Sequence, residues 1–338
     1  MNRNQNIDIM KGLGIFLVVF AHVLKNNGII TNAIYIFHMP LFFIVSGYLI
    51  KYEGQCSFLD YLKKKSKGIM CPYFIFSILS FLYWFIIERK FRGEGITIDT
   101  NIIRNIFLNI FVMKVDSNLL LSNVVLWFLP CLFFSNILFY FIRRIDKRYI
   151  RITIVFFIFI IGYILNLKSI ILPFAVETVC ISVMFIDIGF EIKNINLNNI
   201  NKFIGIFSIM FYIIAVVFNG KVGMLAHMYG NPILFILGAV SGTGIIYIIS
   251  IYISRLKRIS NIAIYMGLNS LTIMLVHEPL KRIIIVVASG ILHIPVSNIR
   301  ESVIISCLIG IIVIVIIFPF SIFINKYTPW LVGRKNKK

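Results

Sequence analysis

Four ionisable side chains interrupt the apolar segments at the start of the chain, between residues 7 and 49. Asp8, Lys11 and His22 lie in the first apolar segment, and His38 lies at the beginning of the second. A lysine ammonium can bind an anion such as a phosphate, and a histidine can act as a general base, a general acid or a nucleophile. Because an ionisable side chain is costly at membrane depth, these four residues are candidates for function.

The spacing of these residues places two of them on one helix face. Lys11 and His22 are eleven residues apart. At about 100° per residue this is about three turns plus 20°, with a rise of about 16 Å, half of a hydrocarbon core. The short loop that follows returns His38 to the membrane side of His22. Simpler interpretations also exist, since Lys11 can extend its ammonium to the interface and a single histidine is often structural.

The composition indicates a polytopic membrane protein. The chain has 338 residues, of which 59% are hydrophobic, and its mean hydropathy is +0.94. A soluble core cannot bury so much apolar side chain, and the alternation of a membrane β-barrel is absent. We predict an all-α integral membrane protein with about ten transmembrane helices, forming one membrane-embedded domain over residues 1–338. The predicted spans are 8–24, 33–50, 69–87, 124–142, 151–166, 170–190, 203–219, 232–252, 262–276 and 302–324.

The distribution of charge predicts the orientation. The net charge is +20. Lys and Arg concentrate in the segments that face the cytoplasm if the N-terminus is inside, which predicts that both termini are cytoplasmic and argues against nucleic-acid binding. On this topology His22, His38 and His277 approach the outer half of the membrane. The apolar segment 280–292 follows Pro279, and we expect it either to re-enter the membrane or to extend the ninth helix beyond a kink.

Later segments add further candidates. His277 and Glu278 end a predicted helix, and a carboxylate can orient an imidazole, although adjacent residues point to different helix faces. Glu177 lies deep in the sixth span, where it could serve a site or pair with a basic side chain. Trp127 is typical of an aromatic belt at the membrane interface, with a substrate wall as the alternative. The five cysteines lack the spacing of Cys/His ligand sets, so we expect no metal site and no disulfide framework.

Four sequence motifs resemble the acyltransferase-3 superfamily of integral-membrane acyltransferases and, within it, the fucose 4-O-acetylase-like branch. The first motif has a basic residue, ten intervening residues and a histidine, here Lys11 and His22, and the second contains His38. The resemblance runs nearly from end to end. The motifs are IDIMKGLGIFLVVFAH, FHMPLFFIVSGYL, LWFLPCLFF, and YGNPILFILGAVSGTG together with NSLTIMLVHEPL.

Three features differ from the pattern of the superfamily. Lys11 stands where many relatives have arginine, so a bidentate phosphate contact is not available at this position. The sequence contains no fused hydrolase-like domain, so acceptor chemistry is expected in the membrane domain. The loops are short apart from residues 88–123, in which the apolar piece 102–113 predicts an interfacial helix.

The resemblance implies an enzyme that moves an acetyl or other short acyl group from cytosolic acyl-CoA to a hydroxyl of a cell-surface sugar or polysaccharide precursor. It implies a bacterial cytoplasmic membrane, with the lipid bilayer as a partner and no nucleic acid or metal. In this interpretation His22 is the general base for the acceptor hydroxyl or a transient acyl carrier, and His38 orients His22 or stabilises the oxyanion. Lys11 holds the donor and Asp8 fixes Lys11. The oligomeric state stays open.

Two other classes of protein fit part of the pattern. A transporter or flippase of lipid-linked sugars is the alternative, because intramembrane charges suit both classes. Transporters usually contain repeats with interrupted helices in both halves, whereas this sequence has one possible break, at Pro279, and no repeat. Dependence on CoA separates the two classes. A sensor or scaffold without catalysis is disfavoured because Lys11, His22 and His38 are all present.

Overall fold

The computed structural model describes residues 4–24, 28–50, 57–88, 100–113, 123–193 and 202–334. It is 85% helical, and the described residues form no β-strand beyond an isolated bridge between Gly223 and Met228. Within the described ranges, eight helices are long and apolar enough to cross a membrane, and Gly205–Phe218 is a shorter apolar helix. These features confirm the prediction of an all-α polytopic membrane protein.

The helices follow one another with short connections. In chain order they are α1 (Gln5–Val23), α2 (Ile29–Tyr35), α3 (His38–Tyr48), α4 (Phe58–Lys65), α5 (Cys71–Tyr83), α6 (Thr100–Val112), α7 (Phe128–Ile142), α8 (Arg148–Leu167), α9 (Val176–Ile192), α10 (Lys202–Phe218), α11 (Pro232–Ser254), α12 (Lys257–Leu268), α13 (Ser270–Leu292), α14 (Val296–Glu301) and α15 (Val303–Tyr327).

Most predicted spans coincide with these helices to within a few residues, and the third is one of the exceptions. It was predicted for 69–87, but the helical segment begins at Phe58 because the Ser57 hydroxyl accepts the backbone N–H of Asp60 at 3.1 Å and caps the helix there. The predicted helix in 102–113 is present as α6. It packs on α5, where the Tyr73 hydroxyl donates to the Ile110 carbonyl at 3.0 Å.

The predicted ninth span, 262–276, is wrong as a single helix. The helix breaks at Asn269, and the side-chain amide of Asn269 donates to the Tyr265 carbonyl at 2.9 Å. Asparagine readily makes such bonds with its own backbone, so it ends helices. Pro279, in contrast, lies inside α13, which continues through it to Leu292. Residues 280–292 therefore extend this helix beyond Pro279, which was the second of the two expectations for this segment.

The described chain divides into two compact units, and their function as one domain stays a prediction. The first unit contains Met1–Ile50, Ile188–Met224 and Met228–Ile322, and the second contains Lys51–Asp187, Leu225–His227 and Phe323–Lys338.

Helix α1 is central to the first unit, where it contacts α3, α11, α12 and α13. Its closest neighbour is α12. A methyl group on Gly12 would lie 2.0 Å from the Ala263 carbonyl oxygen, and one on Gly267 would lie 1.8 Å from that of Asp8. Only glycine allows this approach of two backbones, which is how helices commonly pack in membranes. The seam fixes the height of α1, and with it the position of the polar residues on α1.

The second unit contains buried polar contacts between its helices. Arg151 of α8 forms an ion pair with Asp187 of α9, with Nε and Oδ1 3.1 Å apart. The hydroxyls of Ser135 on α7 and Ser182 on α9 are 2.6 Å apart. Because polar groups buried in an apolar helix bundle need partners, these contacts fix the register of the helices.

Candidate active site

The last turn of α1 carries His22 and is held by three side chains from other elements. A helix ends with carbonyls that lack intrahelical partners, and α1 ends when the chain becomes extended at Leu24. The bonds to these carbonyls are Tyr35 Oη to Ala21 O at 3.3 Å, Lys281 Nζ to His22 O at 3.1 Å, and Arg300 Nε to Val23 O at 3.3 Å. Two of the donors are cations, which the negative end of a helix dipole favours.

The His22 imidazole meets two residues of α13. Its Nδ1 lies 3.0 Å from Nε2 of His277 and 3.6 Å from Oε2 of Glu278, and the two rings are stacked with centroids 5.2 Å apart. The His22 side chain is 20% exposed, whereas that of Glu278 is 5% exposed. His277 and Glu278 are sequence neighbours, and both approach the same nitrogen of His22, Nδ1. His22, His277 and Glu278 therefore form one cluster.

The hydrogen bonds in this cluster determine where the protons lie. Nδ1 of His277 is 3.0 Å from the Ile273 carbonyl and 2.9 Å from that of Met274, and carbonyls only accept. His277 therefore carries its proton on Nδ1, and its Nε2 accepts from Nδ1 of His22. Nε2 of neutral His22 is left without a proton, and no described residue hydrogen bonds to it. His22 thus offers a lone pair, which is what a general base or a nucleophile requires.

The carboxylate of Glu278 is held between cations. Lys281 Nζ lies 2.8 Å from each carboxylate oxygen, and Nε of Arg282 lies 3.2 Å from Oε1. Together with its bond to the His22 carbonyl, Lys281 uses all three of its donors. This arrangement fixes Glu278 beside His22, where its negative charge stabilises an imidazolium.

The same three residues have the geometry of a possible metal site. Ligand atoms of His22, His277 and Glu278 all lie within 4.8 Å of one another. However, a hydrogen bond joins Nδ1 of His22 to Nε2 of His277, and two cations contact the carboxylate of Glu278. The donor set therefore fits a hydrogen-bonded cluster better than a divalent cation, and the absence of a metal stays a prediction.

The other end of α1 carries the predicted pair of Asp8 and Lys11. Lys11 Nζ lies 3.4 Å from Oδ1 of Asp8, and both side chains are largely buried. This contact follows from the i, i+3 spacing on one helix face. Asp8 lies on the seam with α12, since its carbonyl faces Gly267. Lys11 and His22 therefore lie on one rigid helix, about 16 Å apart along its axis.

His38 is buried at the start of α3, and its contacts are local. Its Nδ1 lies 3.0 Å from the Ile34 carbonyl and so donates to it, and its ring lies 5.1 Å from that of Tyr35. In the neutral form Nε2 of His38 is consequently an acceptor, so a role as an oxyanion donor would need the imidazolium form. The described residue that holds His22 by its side chain is His277 and not His38.

Glu177 and Trp127 belong to the second unit. Glu177 is fully buried; its Oε2 accepts the backbone N–H of Leu172 at 3.1 Å, and its Oε1 lies 4.0 Å from Nε2 of His227. Of the two expectations for Glu177, the structure agrees with the pairing to a basic side chain, and His227 is that side chain. Trp127 is 6% exposed and packs edge-on against Phe128, so the structure corrects the interpretation of Trp127 as a belt residue facing lipid.

Sequence reasoning missed the residues that hold the cluster. Lys281 and Arg282 lie three and four positions after Glu278 on one helix, and this spacing could have suggested the ion pairs. Arg300 and Tyr35 gave no such signal. They contact α1 only because the fold brings them to its end.

The comparisons with known proteins agree with this architecture. The profile of the acyltransferase domain family matches residues 4–326, which span both units and include every candidate residue named above. Neither the curated proteins nor the solved structures gave a significant match. The family match identifies the superfamily and not a branch within it. The chain therefore belongs to the acyltransferase-3 superfamily, and it is a multi-pass membrane acyltransferase.

Proposed function

We propose that this enzyme transfers an acetyl or other short acyl group from cytosolic acyl-CoA to a hydroxyl of a cell-surface sugar or polysaccharide precursor, in a bacterial cytoplasmic membrane. The observation that carries the proposal is the arrangement on α1. An ammonium lies at one end, and a histidine with an unprotonated nitrogen lies at the other, backed by His277 and Glu278.

The cluster around His22 supports a general-base mechanism. Nε2 of His22 takes the proton of the acceptor hydroxyl while the hydroxyl oxygen attacks the thioester carbonyl. The tetrahedral intermediate then expels the CoA thiolate, which receives the proton from Nε2, so that the products are an ester and free CoA. During the reaction Glu278, 3.6 Å from Nδ1, stabilises the imidazolium form of His22.

The position of Lys11 supports acyl-CoA as the donor. CoA carries its phosphates at the nucleotide end and its thioester at the end of an extended arm, so a site for it needs a cation well separated from the reacting group. Lys11 provides a partly buried cation about 16 Å from His22 along the helix. The pairing with Asp8 holds Lys11 in place at this end of the helix.

The acceptor hydroxyl and its place at the cell surface rest on two arguments. A base with a lone pair activates hydroxyls, so the product is expected to be an ester. On the topology predicted from the basic loops, His22 lies toward the outer half of the membrane, where envelope sugars are accessible. The fucose 4-O-acetylase-like branch, which the sequence motifs resemble, is part of this proposal.

The experiment uses purified protein in nanodiscs with radiolabelled acetyl-CoA. Donor binding and acetyl release are measured for the wild type, Lys11→Ala and His22→Ala. We expect the wild type to bind and turn over the donor. Lys11→Ala should bind it about tenfold or more weakly, as expected for the loss of one contact to a charged group, and His22→Ala should bind but not release acetyl. Arg258→Gln, an exposed arginine on α12, is the matched control for a loss of positive charge.

The same measurement tests the alternative of a transporter or flippase for lipid-linked sugars. An exporter would neither bind nor hydrolyse acetyl-CoA. If the wild type binds no short acyl-CoA, or if His22→Ala retains full turnover at normal folding, the proposed reaction is wrong.

A further inference from the structure

We infer that the acceptor carries an anionic group, a carboxylate or a phosphate, and that Arg300 binds it next to His22. This inference rests on the proposed function, because it names the class of acceptor that the same site takes. It begins from Arg300, which contacts the end of α1 and has no carboxylate partner among the described residues.

No carboxylate among the described residues neutralises the charge of Arg300, which lies next to His22. Lys281 contacts both oxygens of Glu278, whereas Arg300 bonds to a carbonyl at the end of α1 and forms no ion pair with a described residue. A partly enclosed guanidinium without a carboxylate partner among the described residues favours the binding of an anion.

Arg300 is the cation with donors to spare. Lys281 uses its three donors inside the cluster, and Arg282 bonds to Glu278. Arg300 has five donors and spends one, from Nε, on the Val23 carbonyl at 3.3 Å; among the described residues it has no other hydrogen-bond or ion-pair partner. Its side chain is partly exposed and so accessible. A planar guanidinium with free terminal nitrogens suits bidentate binding of a carboxylate or phosphate.

The position of Arg300 assigns the anion to the acceptor and not to the donor. Arg300 bonds to Val23, one residue beyond His22 in the direction away from Lys11. The phosphates of acyl-CoA belong at the Lys11 end, and the thioester end of its pantetheine arm has no charge. An anion near Arg300 must consequently come from the other substrate, whose hydroxyl then lies close to Nε2 of His22.

The test measures protection of His22 from chemical modification, without acetyl-CoA. The full-length protein in a phospholipid-free nonionic detergent is treated with diethyl pyrocarbonate, and labelling of His22 is followed by mass spectrometry. The probes are glucose and glucose 6-phosphate, which differ by one anionic group. We expect glucose 6-phosphate to slow the labelling and glucose not to slow it. Arg300→Gln should raise the half-protecting concentration about tenfold or more, as expected for losing a charged hydrogen bond.

Four controls make each result decisive. Arg300→Lys, which keeps the charge but not the planar fork, should protect to an intermediate degree, and Arg258→Gln should behave as the wild type. Equal effects of the two probes, or no protection by either, overturn the inference. Protection that Lys11→Gln removes and Arg300→Gln leaves intact also overturns it, because the phosphate then occupies the donor site. Protection by added phosphatidylglycerol but not by glucose 6-phosphate assigns Arg300 to a lipid headgroup instead.

The labelling experiment and the turnover experiment can fail independently, so a failure of the anionic acceptor is distinguishable from a failure of the proposed function. If the wild type fails to turn over acetyl-CoA, the acyl transfer is wrong whatever the labelling shows. If turnover is present but the phosphate gives no protection, only the anionic acceptor is wrong. The comparison of probes on the wild type remains decisive even if Arg300→Gln does not fold.

Discussion

The two units each contain a histidine next to a buried glutamate, and the surroundings of the two carboxylates differ. In the first unit Glu278 is bonded by Lys281 and Arg282 and lies 3.6 Å from His22. In the second unit Glu177 accepts one backbone N–H and has His227 at 4.0 Å. The carboxylate of Glu278 is part of a charged network. The carboxylate of Glu177 has one hydrogen bond, from a backbone N–H, and its histidine lies farther away.

The two histidines differ in the same way. His22 uses Nδ1 within its cluster and keeps Nε2 without a described partner. His227 has protein groups at both ring nitrogens, with the Asn166 side-chain amide 3.3 Å from Nδ1 and Glu177 beyond Nε2. A histidine beside a carboxylate is therefore not by itself a reactive site. A nitrogen open to substrate separates His22 from His227.

The largest effect is expected when Nε2 of His22, the nitrogen without a described partner, is removed. His22→Gln keeps a polar side chain of similar size but cannot take up a proton, so acetyl transfer should fall by about a hundredfold to ten-thousandfold. The measurement is steady-state turnover of acetyl-CoA by protein whose thermal unfolding midpoint matches the wild type. Turnover within tenfold of the wild type would remove His22 from the chemistry and end the distinction between the two pairs.

A second effect is expected from the network around Glu278. Glu278→Gln removes the charge that stabilises the His22 imidazolium, so kcat should fall about tenfold to a hundredfold, equivalent to about 1.4–2.8 kcal/mol. It also leaves Lys281 and Arg282 without their carboxylate, which should lower the free energy of unfolding by about 3–5 kcal/mol. Kinetics and denaturant titration in detergent measure the two effects.

The double variant Glu278→Gln with Lys281→Met separates stability from activity. Removing both charges should restore part of the lost stability, because the buried ammonium is no longer unpaired. It should not restore kcat, since the imidazolium still lacks its carboxylate. Recovery of both quantities together would show that Glu278 acts through folding alone.

The sequence predicted the contacts that depend on helix spacing and missed those that depend on the fold. Asp8 and Lys11 are three residues apart on one helix, so their pairing could be read from periodicity alone. His22 and His277 are 255 residues apart. Both were candidates, but no periodic signal could show that α1 and α13 bring them together, and His38 was the partner expected instead.

The prediction of the fold was limited in the same way: it found the membrane spans but not the features that depend on contacts between helices or on local side-chain bonds. Apolar length found the spans, because a membrane requires continuous helices of about 20 residues. It could not find the break at Asn269, since a polar side chain that bonds its own backbone is short-range chemistry inside an apolar stretch. The glycine seam of α1 with α12 also escaped, because a close approach needs both helices to be known.

The smallest effect is expected at the pair of His227 and Glu177 in the second unit. It tests whether a histidine without an open nitrogen is dispensable for the reaction. His227→Gln should leave the turnover of acetyl-CoA within about twofold of the wild type, because both ring nitrogens of His227 already face protein groups. A glutamine can still hydrogen bond to Asn166, so the free energy of unfolding should fall by about 1 kcal/mol or less, a shift of a few degrees in Tm. Parallel turnover and melting measurements on His22→Gln and His227→Gln decide the point. A loss of turnover in His227→Gln at unchanged Tm would mean that an enclosed histidine takes part in the reaction, and the open nitrogen of His22 would no longer explain why the chemistry is assigned to the first unit.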